Sequence, residues 1–392
     1  MGLERFEIVF DNPQAVFYAG QTVTGRIVVI NSTPKCFRGI NVKLKGRAEV
    51  NWSEVTEQAS SPRPTNHRNT NEVTEIFSSE ETYFETQFNV LGSGEDVNLN
   101  PGEHFYPFNY VLPSNLPSSF KGDYGHVRYT ILAVVDRPWK FDYEAKAAFT
   151  VISPLDLNAD PKLAAPLSKE KIKIFCCMCC TSAPVYATLS LPCGGVVPGE
   201  SLAPTVEVDN KSRVSISQIK LQLIKTVTYK ARGGNDKKCK VSIAEKYLPK
   251  VKRGASEVFV REAGMQIPPM PPSNLDNCSI IDLDYHLNAY FVTSGFHFDF
   301  EMRLPVVVGT IPFSANFGQF NAPQAAENIM PVGWNFSPSA PQLDEAPNYP
   351  DMPPPSYEES VFGAKSIQEK SDNQYMFMNK NFAPMYPVYR QS

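Results

Sequence analysis

No stretch of this 392-residue chain is apolar for long enough to cross a bilayer as a helix; its longest apolar runs, Tyr129 to Val135 and Leu304 to Ile311, are strand-length. The N-terminus, Met1-Gly2-Leu3-Glu4-Arg5-Phe6, has no apolar segment of the secretory kind, and Phe6 stands where an N-myristoylation signal wants Ser or Thr. A cytosolic chain is expected. No segment sustains a 3.6-residue period, and 34 prolines argue further against long helices. An excess of positive charge is lacking too. There are 37 Lys and Arg against 41 Asp and Glu; residues 314 to 392 hold eight acids and four bases, so the rest balances at 33 of each. Nucleic acid is therefore not an expected partner. Catalytic fingerprints are missing: Gly92-Ser93-Gly94 is not completed into a dinucleotide loop, and there is no Walker loop, His-Glu-x-x-His or Gly-x-Ser-x-Gly. Neither an enzyme nor a cofactor is expected.

What the chain does have is alternation. Phe6, Ile8 and Phe10, then Val23, Ile27 and Val29, then Ile40, Val42 and Leu44 follow the period of strands, punctuated by Gly, Asn, Pro and Ser. Residues 51 to 75 are polar and read as a long, mobile hairpin excursion. Strand patterns resume at Tyr83 to Phe88, Phe105 to Leu112, Val127 to Val135 and Phe149 to Ile152. Self-comparison adds more: Ala19 to Leu44 matches Pro198 to Leu223 at a constant offset of 179, with Gly20 on Gly199, Gln21 on Glu200 and Asn31 on Asn210. Further on, Pro113-Ser114-Asn115-Leu116 recurs as Pro272-Ser273-Asn274-Leu275, each followed by a strand. Each copy has the size and pattern of two antiparallel sheets closing one core. The expected class is therefore all-β. Two tandem β-sandwiches occupy 1–153 and 184–313, a linker fills 154–183, and a disordered proline-rich tail runs over 314–392.

The tail carries Met352-Pro353-Pro354-Pro355-Ser356-Tyr357-Glu358-Glu359. Consecutive prolines hold φ near the polyproline II value, so little ordering entropy remains to be lost when such a segment enters an aromatic-lined groove. Pro354, Pro355 and Tyr357 fit the PPxY ligand of WW domains; a single contact of this kind is worth about −5.5 to −7 kcal/mol, or about 10–100 μM. Ala383-Pro384-Met385-Tyr386 keeps the Pro-x-Tyr half, so Pro384 and Tyr386 form a candidate second WW contact. In the linker, Cys176-Cys177-Met178-Cys179-Cys180 lacks the second ligand pair that a structural zinc site needs, and adjacent cysteines suit disulfides poorly. Two readings of Cys176, Cys177, Cys179 and Cys180 stay open: S-acylation beside Lys169, Lys171 and Lys173, or small apolar side chains opening a strand. Lys225 to Arg253 holds ten Lys or Arg against Asp236 and Glu245, which fits solvated Lys-guarded edge strands or contact with an anionic membrane.

Taken together, the paired sandwiches, the Val197-Pro198-Gly199-Glu200 turn leading into Val206-Glu207-Val208-Asp209-Asn210-Lys211-Ser212, the strand Asn277-Cys278-Ser279-Ile280-Ile281, and the PPxY motif resemble the α-arrestins. That resemblance implies arrestin N- and C-terminal domains and a tail that recruits WW domains of Nedd4-type HECT ubiquitin ligases. The cargo it implies is membrane receptors or transporters, ubiquitinated, internalised and sorted through endosomes, with the protein moving from cytoplasm to plasma membrane and endosomes. One branch of the family binds thioredoxin through a cysteine upstream of the strand at Cys278; residues 240 to 277 contain none, so that activity is not expected. The basic strand and added helix with which visual and β-arrestins sense receptor phosphate are not evident either. Ile280 to Asp284 faintly resembles a clathrin box but alternates as a strand. The alternative reading is a retromer-subunit-like scaffold, with the same double sandwich and no ligase.

Overall fold

A computed structural model of the chain describes residues 3–59, 70–92, 94–138, 141–177, 180–314, 356–361, 364–368, 372, 376–378 and 381–389. The first sandwich is built from β1 (Arg5–Phe10), β2 (Val16–Tyr18), β3 (Thr22–Asn31), β4 (Lys35–Phe37), β5 (Gly39–Ala59), β6 (Thr70–Leu91), β7 (Val97–Leu99), β8 (Gly102–Val111), β9 (Phe120–Lys121), β10 (Gly125–Asp136) and β11 (Tyr143–Ile152). Its two main sheets order β1-β3-β8 and β2-β11-β10-β5-β6. The second is built from β12 (Leu167–Lys173), β13 (Cys176–Cys177), β14 (Cys180–Thr181), β15 (Val185–Leu191), β16 (Gly195–Val196), β17 (Ser201–Leu202), β18 (Thr205–Asn210), β19 (Ile216–Lys230), β20 (Asp236–Leu248), β21 (Ser256–Phe259), β22 (Met265–Gln266), β23 (Ile281–Thr293) and β24 (Phe300–Val308). Here the sheets order β12-β15-β18-β21 and β16-β24-β23-β19-β20. Alternation in the sequence sets the inside: Val23, Ile27 and Val29 of β3, and Ile40, Val42 and Leu44 of β5, are fully buried in the first core.

The internal repeat survives as matched hydrogen bonds. Tyr18 N–H donates to Gln21 Oε1 at 2.8 Å, and Val197 N–H donates to Glu200 Oε2 at 3.0 Å. Gly20 and Gly199, at φ 84° and 94°, turn the chain in the left-handed region open to glycine. Buried Asn31 ties β3 to Thr33 O and Asn100 O, while buried Asn210 ties β18 to Val214 O and Lys252 O. Tyr129 Oη donates to Pro117 O and Tyr285 Oη to Pro271 O, so each sandwich pins its later strand to a preceding proline carbonyl. A repeat visible as residue types is thus a repeat of turn and core-polar chemistry.

The expected linker is shorter than 154–183. Turns at Leu157–Ala159 and Pro161–Ala164 make the connection, and Leu167–Lys173 already pairs with β15 as an edge strand of the second sandwich. Alternating Lys and Glu along this strand hid it, because an edge strand buries little. Of the polar excursion, residues 51–59 and 70–75 pair within β5 and β6, while 60–69 lie outside the described residues; Ile281 to Asp284 opens β23, with Ile281 and Leu283 fully buried.

The two sandwiches share apolar contacts. Val227, Tyr229, Ile281 and Leu283 of the second belong to the core of the first, and Tyr229 Oη accepts from Asp123 N–H at 3.1 Å. Beneath them lies Lys225 of β19, 2% exposed, its ammonium over the Phe120 ring at 5.7 Å. Burial pushes this lysine down to about 7, with Asp123 pulling the other way. The unfolded chain therefore binds more protons than the folded one between about pH 7 and the ordinary lysine value, and stability rises with pH across that window. Lys225→Met is expected to raise the melting temperature at pH 7 and to gain less at pH 9.5, the difference being on the order of 3 kcal/mol. Paired thermal melts of both proteins at the two pH values check this; a gain independent of pH would refute it.

Candidate functional site

The described tail segments lie on the body. This departs from the disordered tail expected over 314–392; residues 315–355 fall outside the described part. The tail strands are β25 (Ser356–Glu359), β26 (Lys365–Ser366), β27 (Phe377–Met378), β28 (Asn381–Phe382) and β29 (Met385–Val388). β25 pairs antiparallel with β29, placing Tyr357 opposite Pro387 and Glu358 opposite Tyr386, while β26 pairs with β28. Phe377 and Met378 lie parallel to Ala145 and Lys146, adding a strand to the edge of β11. No amphipathic period predicts this, because each tail residue that docks does so singly, in its own socket.

Three tyrosines hydrogen-bond the tail to the body. Tyr386 is 1% exposed, its hydroxyl donating to Ser119 O at 2.9 Å, while the neighbouring Met385 N–H donates to Thr150 Oγ1 at 3.1 Å. Tyr389 N–H donates to Pro198 O at 2.8 Å and its hydroxyl to Thr310 O at 2.9 Å. Tyr357 is half-buried, hydroxyl to hydroxyl with Tyr18 at 3.0 Å. Burial raises the phenols of Tyr386 and Tyr357 well above their usual value, and for Tyr357 the Tyr18 hydroxyl adds to the rise. Tyr18 and Pro198 belong to the two copies of the repeated turn, so the tail straddles equivalent places on both sandwiches. Gly199 permits the approach: besides its positive φ, a Cβ there would collide with the Tyr389 carbonyl.

The rest of the strap is electrostatic and apolar. Lys146 of β11 meets Asp372 Oδ1 and Oδ2 at 3.0 and 2.9 Å, the side chains only 5% and 7% exposed. Phe377 packs edge-on against Phe6 at 6.2 Å, and Ile367 is buried. Ser366 and Gln368 border a cleft of about 620 Å³ with Arg47, Lys121, His126 and Arg128, where Arg128 Nη2 donates to Ser366 O. The cleft is positive. Burial, then Arg128 and Lys365, push Lys121 down to about 8, and burial with Arg128, Lys121 and Arg47 holds His126 well below its usual value.

Among the residues singled out by sequence, Pro354 and Pro355 lie outside the described residues, and Tyr357 is described but engaged. Pro384 and Tyr386 are buried, so the docked tail does not offer them as a second WW contact. The backbones of Cys176, Cys177 and Cys180 form the small hairpin β13–β14; Cys179 lies outside the described residues. Tyr18, Ser119, Lys146 and Asp372 were not foreseen. Their only sequence signal is the aromatic density of a tail otherwise poor in apolar residues.

Comparison with known proteins agrees with this architecture. The family described as "Arrestin (or S-antigen), N-terminal domain" matches residues 6–158, and "Arrestin (or S-antigen), C-terminal domain" matches residues 181–313. Over 443 aligned residues the chain is 30% identical to "Arrestin domain-containing protein 17" of Caenorhabditis elegans, covering 99% of each. It is 31% identical over 352 residues to "Arrestin domain-containing protein 4" of Mus musculus, covering 87% of this chain and 80% of that one. Against "Arrestin domain-containing protein 1" of Homo sapiens it is 27% identical over 351 residues, covering 88% and 72%.

Proposed function

Since the chain belongs to the arrestin family, matching both of its domains and arrestin domain-containing relatives, we propose that it is a non-enzymatic trafficking adaptor that brings Nedd4-type HECT ubiquitin ligases to membrane cargo. In this reading the two sandwiches hold a receptor or transporter, and the tail presents Pro354, Pro355 and Tyr357 to a WW domain. Ubiquitination, endocytosis and endosomal sorting follow, with the protein recruited from the cytoplasm to the plasma membrane and endosomes. The observation that carries the reading is the joining of a double sandwich to a tail with a PPxY motif. The docked tail adds a condition. A phenol hydrogen-bonded to Tyr18 cannot at the same moment enter a WW pocket, so ligase binding requires at least β25 to lift.

One observation favours the alternative, a ligase-free scaffold of the retromer-subunit kind: Tyr357 has a structural partner of its own. Proximity labelling in cells separates the two. Replacing Tyr357→Ala is expected to remove WW-containing ligases from the labelled set while membrane proteins remain; persistence of the ligases would rule out the motif as their attachment point.

A further inference from the structure

Among the described strap residues three are serines, and their surroundings differ. Ser360 is buried, with no room for a further group. Ser356 is exposed, its hydroxyl on Val388 O at 3.4 Å, but Glu358 and Glu359 follow it on the same short strand. Ser366 of β26 is exposed as well, and it borders the positive cleft. Its hydroxyl accepts from Gln368 N–H at 3.1 Å and its carbonyl from Arg128 Nη2 at 3.3 Å.

The cleft gathers cations from both sandwiches. Arg47 of β5, Lys121 of β9, and His126 and Arg128 of β10 line it; Arg232, in the turn after β19, joins them from the second sandwich, its N–H on Ser78 O at 3.2 Å. The basic run Lys225 to Arg253 is thus divided by the fold, Arg232 coming here and Lys237 facing Glu54. Against four Lys and Arg the described lining holds two carboxylates, Glu49 and Glu80, and Arg47 already faces both, at 3.4 and 3.1 Å. Burial, then Arg128 and Lys365, push Lys121 down to about 8, as happens where like charges crowd a partly dry site. His126 Nε2 is buried and, among the described residues, has no hydrogen-bond partner. An anion here relieves the crowding and can pair with that nitrogen.

We propose that Ser366 is a phosphorylation site, and that its phosphate, clamped by Lys121, Arg128 and Arg232, locks the tail onto the body. A serine kinase supplies the group from ATP: a bond forms between Ser366 Oγ and the γ-phosphorus, the bond to ADP breaks, and the hydroxyl proton passes to the kinase's base. Transfer takes place on the lifted tail, because docked Ser366 is paired with Asn381 across β26 and β28. Phosphoserine carries about −1.5 to −2 charges and gains one to three charge-assisted hydrogen bonds opposite such a cluster, so redocking is favoured. At Ser356 the same group meets Glu358 and Glu359, and like charge opposes it. The lock concerns the tail's hold on its own body and stands whether or not a ligase uses the motif.

The test compares three full-length proteins: the unmodified chain, and chains with phosphoserine genetically encoded at 366 or at 356. Amides of Met385 and Tyr389 are expected to exchange roughly tenfold more slowly, or slower still, in the 366 form alone. The phosphorus resonance of that form should titrate roughly one unit below the usual second pKa of about 6. Adding Lys121→Gln with Arg232→Gln should return the exchange to that of the unmodified chain and the titration to that of free phosphoserine, while β10 amides stay protected. Inorganic phosphate in solution should leave the unmodified chain's tail exchange unchanged, because an untethered anion does not join the tail to the cleft. Equal tail exchange with and without the phosphate at 366, an unshifted titration, protection that survives the double substitution, or the same protection from inorganic phosphate would overturn the proposal.

Discussion

Replacing Tyr386→Ala is expected to tighten, not weaken, the binding of an isolated WW domain to the full-length protein. Tyr386 is sealed between the sandwiches, and truncating a buried aromatic costs about 3–5 kcal/mol. That loss falls on the docked tail alone, since in a released tail the ring is already in water. If docking leaves only a fraction of molecules able to offer Tyr357, the apparent dissociation constant is the intrinsic one divided by that fraction. Undocking removes the division. A gain of tenfold or more is expected by calorimetric titration, abolished when Tyr357→Ala is added. Tyr386→Phe, which loses only the hydrogen bond to Ser119, should give a smaller gain. The opposite expectation comes from the sequence, where Pro384 and Tyr386 look like half of a second motif. Weaker binding of a tandem WW fragment to Tyr386→Ala would restore that motif and dismiss the plug.

The contrast shows what a sequence of this kind discloses. The body was legible because its signals are collective: β3, β5 and β10 each place several apolar residues on one face, and the offset of 179 repeats a turn, a strand and a polar anchor together. Even details follow, since Gln21 and Glu200 cap the same turn in the same way. The tail was not legible because its contacts are solitary and distant. Tyr357 finds Tyr18 and Asp372 finds Lys146 across 339 and 226 residues, and nothing local marks either as paired.

The PPxY motif is a pattern of residues, and pattern carries no information on occupancy. Under the proposed function the tail has two binding modes for one side chain, the Tyr18 contact and a WW pocket, and their balance is set elsewhere along the strap, at Gly199, at Tyr389 and at the ion pair on β11.

The ion pair gives the sharpest handle on that balance. Removing one partner of a buried pair typically costs about 3–5 kcal/mol, because the remaining charge stays desolvated. Lys146 lies on the rigid central sheet and Asp372 on the tail, so the penalty of Asp372→Ala is relieved as soon as the tail lifts and water reaches the ammonium. The docked-to-released ratio should fall by roughly two to three orders of magnitude. Hydrogen exchange reads this directly. Amides of Met385 and Tyr389, now bonded to Thr150 and Pro198, should lose protection, while those of β10 should keep theirs. Pairing Asp372→Leu with Lys146→Met leaves no charge to desolvate and should restore much of the protection. If the single variant keeps its tail amides protected, the pair does not hold the strap; if the double variant fails to recover, the loss in the single variant came from packing and not from the stranded charge.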